Sequence, residues 1–300
     1  MLTYRKGQLM IKMDNKALEA LIQEIFESLE TNNFATLGRG KEPLWGKPLV
    51  GVAHGEDPYY EFLKTHIGPF HWSPKEVFNI KYPGVEPKNL RVVSMIFPQT
   101  QTTKETQRLE TLCPSREWIV SRGEWEPMME EFSGKLVKIL EEAGIKSVSI
   151  DLVREFKAFH DPNVGWASNW SHRHSAYLAG LGTFGLSDGL ITEVGKAMRI
   201  SSLIVDLPLE VSKMPYDDHH QWCLYYHDGS CKACIPRCPT DAISDEGHDK
   251  DLCADYEDYF LKHYWPQDIE RGDYKVGCGL CQVKIPCESR RPKGTIRKDV

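Results

Sequence analysis

Apolar residues near the N-terminus of the 300-residue chain recur with the 3.6-residue period of a helix. Asp14 or Asn15 stands before this run and predicts its N-cap. A second helix is predicted to open at Asp57-Pro58 and to close at Gly68, because proline favours a first helical turn and glycine a C-terminus. Ser73-Pro74-Lys75-Glu76 is the capping-box pattern of a third helix.

The middle of the chain alternates between extended and helical segments. Strands are predicted at residues 90–97, 146–153 and 200–207, and helices at 115–143 and 171–179. Gly123 and Pro127 predict a break in the longer helix. The elements interleave without the regular strand–helix–strand rhythm of a parallel sheet, which favours an α+β fold.

The cysteines divide the chain into two parts. Cys113 is the only cysteine before residue 223, whereas residues 223–287 contain eight. A length of 300 residues is typical of one large or two unequal domains. We therefore predict an α+β domain over residues 1–215 and a cysteine-rich domain over 216–300. The second domain ends in a basic stretch that we expect to be a solvated tail: Arg290, Arg291, Lys293, Arg297 and Lys298.

The net charge and the hydrophobicity of the chain indicate whether it is expected to bind nucleic acid or enter a membrane. The formal net charge of −6 gives the chain no general attraction for nucleic acid. The N-terminus has no apolar signal segment, and no stretch approaches the length of a membrane span. We therefore expect a soluble cytoplasmic protein without membrane contact. In a reducing compartment, clustered cysteines are metal ligands more often than disulfides.

The eight clustered cysteines follow the ligand pattern of a two-cluster ferredoxin. Cys231-x2-Cys234-x3-Cys238-Pro239 matches the bacterial C-x2-C-x2-C-x3-C-P run, except that Asp228 holds the leading cysteine position. Cys223, five residues earlier, is the predicted replacement. The fourth cysteine of such a run ligates the other cluster. This crossover predicts two [4Fe–4S] ligand sets: Cys223, Cys231, Cys234 and Cys287 (the first thiol set), and Cys238, Cys253, Cys278 and Cys281 (the second thiol set).

One or two structural zinc sites are the main alternative, because four-thiolate zinc sites also use paired C-x2-C motifs. Zinc gives no reason for the crossover at Cys238-Pro239. Cys113, which is isolated in the sequence, is predicted to be an ordinary half-buried thiol.

A second motif lies upstream of the cysteines. Arg173 stands six residues before Ala179-Gly180-Leu181-Gly182-x-x-Gly185, a strand follows, and the cysteine module ends in Gly277-Cys278-x-x-Cys281. Together these motifs resemble the epoxyqueuosine reductase family and, more distantly, the reductive dehalogenases. The resemblance covers residues 145–287 well and the residues before them loosely.

The resemblance implies a nitroreductase-like α+β domain that holds cobalamin, followed by a ferredoxin-like domain that delivers electrons to the cobalt. A glycine-rich turn lets the backbone approach a large planar cofactor, and Trp166 and Trp170 are candidates for its walls. The residues that the resemblance assigns to cofactor binding are Trp170, Gly180, Leu181, Gly182, Thr183, Phe184, Gly185, Ser187 and Gly279.

Reduction of an epoxide or a carbon–halogen bond also needs a proton at the reacting atom. The family places an aspartate donor seven or eight residues before the arginine, where this chain has Gly165-Trp166. The candidate donors are Asp161 and His172, ranked first, and Tyr177. Arg173 is the candidate for binding an anionic group. Lys196 is a further candidate donor but is predicted to be solvated.

Three functions remain open from the sequence. The first is a cobalamin-dependent iron–sulfur reductase, an enzyme that receives electrons from reduced ferredoxin or flavodoxin and acts on a small molecule or a tRNA. The second is an electron-transfer protein without a third cofactor. The third is a flavin-dependent reductase, because nitroreductase-like domains also hold flavin.

Overall fold

The computed structural model describes residues 13–264 and 277–295. Arg297 and Lys298 of the predicted basic tail lie outside these ranges. The helices are α1 (Asn15–Glu27), α2 (Tyr59–His66), α3 (Pro74–Lys81), α4 (Gln101–Leu109), α5 (Arg116–Gly123), α6 (Trp125–Glu142), α7 (His172–Leu178), α8 (Leu224–Asp228) and α9 (Lys250–Tyr264). The strands are β1 (Leu49–His54), β2 (Leu90–Pro98), β3 (Ser147–Ser149), β4 (Ala158–Asp161), β5 (Gly165–Ser168), β6 (Gly182–Phe184), β7 (Leu190–Thr192), β8 (Met198–Asp206), β9 (Ile243–Ser244) and β10 (Gly247–His248).

The predicted helix starts are confirmed by their caps. The Asp14 side chain accepts a hydrogen bond from the amide of Ala17 at 3.0 Å, and Ser73 and Glu76 form both bonds of the capping box. The break in the 115–143 segment falls at Glu124, between α5 and α6. Pro127 lies in the first turn of α6, where a missing amide proton costs no helical hydrogen bond.

A four-stranded sheet in the order β1-β2-β8-β3 forms the centre of the molecule, and all its pairs are antiparallel. This mixed α/β arrangement agrees with the predicted absence of a parallel sheet. Strand β2 is apolar on both faces because helices cover both sides of the sheet. Val93, Met95 and Phe97 pack with α1 and α6, whereas Val92 and Ile96 pack with α3 and α7.

The strand predicted at residues 146–153 is shorter than expected. Pairing of β3 ends at Ser149, and residues Ile150–Leu152 turn into a 3-10 helix. The glycine-rich segment also differs from a simple turn, because Gly182–Phe184 pairs with Leu190–Thr192 as a short hairpin. The sequence pattern did not predict β1, α4 or the β4–β5 hairpin.

The cysteine-rich part packs directly on the preceding part. Tyr216, Trp222 and Cys223 belong to the same apolar core as Trp170 and Tyr177. Arg291 is docked rather than solvated, because its guanidinium lies 5.6 Å from the Trp222 ring centroid and its Nη1 donates to the carbonyl oxygen of Thr295 at 2.7 Å. The solvated-tail prediction is therefore wrong for Arg291. None of the helices in the described ranges has the length and apolar character needed to cross a bilayer.

Candidate functional site

The first thiol set lines a cavity between the cysteine-rich part and the glycine-rich segment. Cys223 precedes α8, Cys231 and Cys234 stand on the loop that follows it, and Cys287 comes from the far end of the cysteine-rich part. All four line the cavity, together with Leu186, Ile191, Leu224 and Ile285. Four thiols that converge on one apolar cavity form a suitable donor set for an iron–sulfur cluster.

The second thiol set lies beside the first. Burial, together with the charges of Glu257, Cys281 and Cys238, raises the pKa of Cys253 to about 12. Burial likewise raises the pKa of Cys278, and Cys281 and Cys253 add to that shift. Electrostatic interactions therefore connect Cys253 with Cys238 and Cys281, and Cys278 with Cys281 and Cys253. Cys281 also interacts electrostatically with Cys234 of the first set.

An iron–sulfur cluster and a single metal ion require different spacings of their thiolate ligands. Within residues 13–264 and 277–295, no three His, Cys, Asp or Glu side chains converge closely enough to bind one ion. A cubane cluster needs thiolates at separate corners, and the four thiols of the first set line one cavity. Burial raises the pKa of Cys287 to about 12, so binding iron there must release a proton.

The N-terminal part holds the cysteine loops by hydrogen bonds. The Lys196 amide donates to the carbonyl of Cys287 at 2.8 Å, and Gln107 Nε2 donates to the carbonyl of Cys278 at 2.8 Å. Trp118 Nε1 donates to the carbonyl of Gly277 at 3.0 Å. The loops that carry the thiols are thus positioned by helices α4 and α5 and by the turn before β8.

Lys196 is a site residue whose position the sequence did not predict. Its side chain was expected in solvent but is only 3% exposed, and its Nζ donates to Ser187 Oγ. Burial alone would lower the pKa of Lys196, but the charges of Cys281, Cys287, Cys234 and Cys223 outweigh it and raise the pKa. The sequence feature that could have predicted this burial is the position of the lysine between two apolar strands, β7 and β8.

The glycines of the glycine-rich segment serve close packing of the chain more than they form a cradle for a cofactor. A Cβ on Gly180 would lie 2.6 Å from the carbonyl oxygen of Lys213, and one on Gly182 would overlap the carbonyl of Ile191. Thr183 is fully buried, and its hydroxyl accepts the Trp222 amide at 2.9 Å. Gly185 lines the cysteine cavity. The open side of the segment carries Leu181 and Phe184, both half-buried.

Two of the predicted cofactor residues lie elsewhere. Trp170 is 1% exposed and stacks on Tyr60 in the core, with ring centroids 5.9 Å apart, so it offers no surface for a cofactor wall. Gly279 presses against the indole of Trp118. Both positions differ from the prediction for one reason: each residue is used in packing that the sequence pattern does not reveal.

The candidate proton donors do not converge. Asp161 ends β4, and its Oδ1 accepts the amides of Asn163 and Val164 at 2.9 and 3.3 Å, which shapes the hairpin turn. His172 points to the sheet, where its Nδ1 lies 2.9 Å from Ser202 Oγ. Burial, together with the charge of Arg173, lowers the pKa of His172 to about 4, so the imidazole is neutral near pH 7.

Arg173 and Tyr177 face the glycine-rich segment. Arg173 is exposed, and its Nη1 donates to the carbonyl of Asp188 at 2.7 Å. The Asp188 carboxylate reaches His248 Nδ1 of β10 at 3.2 Å, which ties the segment to the cysteine-rich part. Tyr177 packs near Phe184, with ring centroids 6.0 Å apart, and burial raises the pKa of its phenol.

Comparison with curated proteins finds epoxyqueuosine reductases. That of Leadbetterella byssophila is 36% identical over 124 residues, which is 40% of this chain and 38% of that protein. That of Cellulophaga algicola is 37% identical over 115 residues, 37% of this chain and 35% of that protein. The matches thus span well under half the length of either relative. No protein-family model matches the chain.

Comparison with solved structures finds proteins with a similar fold. A catabolic reductive dehalogenase, NpRdhA, in complex with 3-bromo-4-hydroxybenzoic acid aligns with 82% of this chain and 30% of its own. The TM-score is 0.50 at 18% sequence identity, which concerns the fold alone. The predicted resemblance to the epoxyqueuosine reductases and the reductive dehalogenases is thereby confirmed.

Proposed function

We propose that the chain is an iron–sulfur oxidoreductase of the epoxyqueuosine reductase type. In this proposal electrons from reduced ferredoxin or flavodoxin pass through two [4Fe–4S] clusters to cobalamin, and a bound epoxide, halide or related substrate is reduced. The chain then comprises a nitroreductase-like domain over residues 1–215 and a ferredoxin-like domain over 216–300, in the cytoplasm.

The observation that carries the proposal is the position of four of the eight clustered thiols at one cavity. Cys223, Cys231, Cys234 and Cys287 line one cavity, and the N-terminal part holds the loops of both sets in place. Neighbouring clusters suit stepwise transfer of single electrons. The curated relatives are named as reductases, which favours an enzyme over a simple electron carrier.

The open face of the glycine-rich segment is the proposed place for cobalamin. Phe184 lies there beside His174 and Tyr177, with ring centroids 4.9 and 6.0 Å away. Aromatic side chains suit contact with a flat macrocycle. When bound, cobalamin supplies the reactive metal centre, while the protein supplies binding, orientation and protons.

The geometry changes the order of the candidate proton donors. His172 is neutral near pH 7 and donates or accepts within the sheet, so it has no acidic proton to offer. The carboxylate of Asp161 accepts a hydrogen bond from the Asn163 amide in its own turn. Tyr177 is buried beside the half-buried Phe184 and keeps its phenolic proton because burial raises its pKa. We therefore place Tyr177 first, with Arg173 as the binder of an anionic group.

Cobalamin titration of the anaerobically reconstituted protein tests the proposed cofactor. We expect the corrinoid absorption spectrum to shift on binding, and the shift to persist in the presence of excess free flavin. No shift at tens of micromolar cobalamin, with the iron content intact, would favour the carrier, and bound flavin instead would favour the flavin reductase.

Tyr177→Phe is expected to slow turnover by at least tenfold, because a positioned acid contributes about a hundredfold to ten-thousandfold. The ring remains, so cobalamin binding should not change. Turnover is measured on whichever substrate is reduced in a screen of epoxyqueuosine-tRNA, small epoxides and organohalides. Asp161→Asn and His172→Ala serve as comparisons, and a larger loss in Asp161→Asn would return the donor role to Asp161.

A further inference from the structure

Lys196 is a buried cation without a carboxylate partner. Its side chain lies in the turn between β7 and β8 and is 3% exposed. Across residues 13–264 and 277–295, no Asp or Glu lies at ion-pair distance from its Nζ, which donates a hydrogen bond to the neutral Ser187 hydroxyl. An isolated buried ammonium is costly unless an anion lies close by.

The nearest anion-forming groups are cysteine thiols. Lys196 lines the cavity of the first thiol set, and the charges that act on it come from Cys281, Cys287, Cys234 and Cys223. The other lining residues are mostly apolar, among them Leu186, Ile191 and Ile285. The environment therefore screens charge weakly, and a charge placed in the cavity interacts strongly with the ammonium.

Packing and backbone hydrogen bonds fix the position of Lys196. Gly189 leaves room for its aliphatic chain, because a Cβ there would overlap Lys196 Cε. At the backbone, the amides of Lys196 and Ala197 bond to the carbonyls of Cys287 and Glu288 at 2.8 and 3.1 Å. The same turn therefore holds both the cation and one cysteine of the cavity.

We propose that Lys196 is the counter-charge of the first cluster and raises its reduction potential. The inference rests on the proposed function, since it requires a cluster in the first thiol set. A [4Fe–4S] cluster held by four thiolates is an anion whose negative charge grows by one on reduction. A fixed buried cation stabilises the reduced form more than the oxidised form, and thus favours electron uptake. Ser187 positions the ammonium.

Lys232 provides a matched control. It follows the predicted ligand Cys231 directly in sequence, so its charge also lies near the first cluster. Its Nζ, however, is exposed and pairs with Asp245 Oδ2 at 2.6 Å. Replacing Lys232 removes the same formal charge in a screened and already paired position, and the effect on the cluster should be small.

The test is a spectroelectrochemical titration of anaerobically reconstituted wild type, Lys196→Met, Lys196→Arg and Lys232→Met. Wild type should show two one-electron waves. In Lys196→Met one wave should move to lower potential by at least the equivalent of a tenfold change in the reduction equilibrium, about 59 mV for one electron. The other wave, and both waves in Lys196→Arg and Lys232→Met, should stay close to wild type.

The outcomes separate this inference from the proposed function. Absence of iron from wild type would remove the proposed function itself. Intact iron with unmoved waves in Lys196→Met, or an equal shift in Lys232→Met, would overturn only the role of Lys196. Loss of half the iron in Lys196→Met but not in Lys196→Arg would support a required counter-charge. Equal loss in both variants would overturn it, because shape rather than charge would then matter.

Discussion

Cys223→Ser is expected to reduce the iron bound per chain from about eight to about four, whereas Asp228→Ala should leave it unchanged. The two residues compete in sequence for the leading ligand position of the ferredoxin run. The structure separates them. Cys223 is 8% exposed and lines the cavity with the other three thiols of the first set.

Asp228 is exposed, and its side chain forms a local hydrogen bond at the end of a helix. Its Oδ1 accepts the Ser230 amide at 2.9 Å at the end of α8, and the hydrogen bonds from Ser230 lower the pKa of its carboxyl group. Serine is a poor substitute for a thiolate ligand, so loss of the Cys223 sulfur should open one corner of the cluster.

Iron and acid-labile sulfide analysis after identical anaerobic reconstitution distinguishes the two residues. Circular dichroism of both variants controls for misfolding. If Asp228→Ala lost half the iron and Cys223→Ser kept it all, Asp228 would be an oxygen ligand and the first thiol set would be wrong.

Gly279→Ala should lower the stability of the protein by roughly 3 kcal/mol or more and deplete the second cluster. Gly279 has a left-handed φ of +66°, and an added Cβ would overlap the Trp118 ring. It stands between Cys278 and Cys281, so a displaced backbone would misplace two of the predicted ligands. The measurements are the denaturant midpoint and the iron content under anaerobic conditions.

Gly229→Ala is the matched control for this effect. Gly229 has a similar φ of +73°, but nothing lies within 4 Å of an added Cβ. Its penalty should therefore be limited to the left-handed backbone, about 1 kcal/mol. In a Trp118→Ala background, the penalty of Gly279→Ala should fall towards the same value. Equal penalties for both glycines in the wild-type background would rule out the Trp118 contact as the cause.

Local patterns predicted several helix starts and the four cysteines that line one cavity. The caps at Asp14 and Ser73 follow from side chains only a few residues away. The crossover at Cys238-Pro239 predicted which thiols group together, and the structure brings Cys223, Cys231, Cys234 and Cys287 to one cavity. Local sequence patterns suffice where the interactions that determine the structure join residues close in sequence.

Contacts distant in sequence were not predictable in this way. The burial of Lys196 depends on Cys287 and on apolar residues from four separate segments, so its charge alone predicted solvent. The close packing of Gly279 on Trp118 joins residues 161 positions apart. His172 was read as a donor because histidine titrates near neutrality, but burial against the sheet lowers its pKa to about 4.

The most direct test of the central claim is the metal and sulfide content of the wild-type protein. After anaerobic reconstitution we expect about eight iron atoms and eight acid-labile sulfides per chain, from two four-thiolate sets. Stoichiometric zinc with negligible sulfide would contradict it, because zinc sites contain no inorganic sulfide.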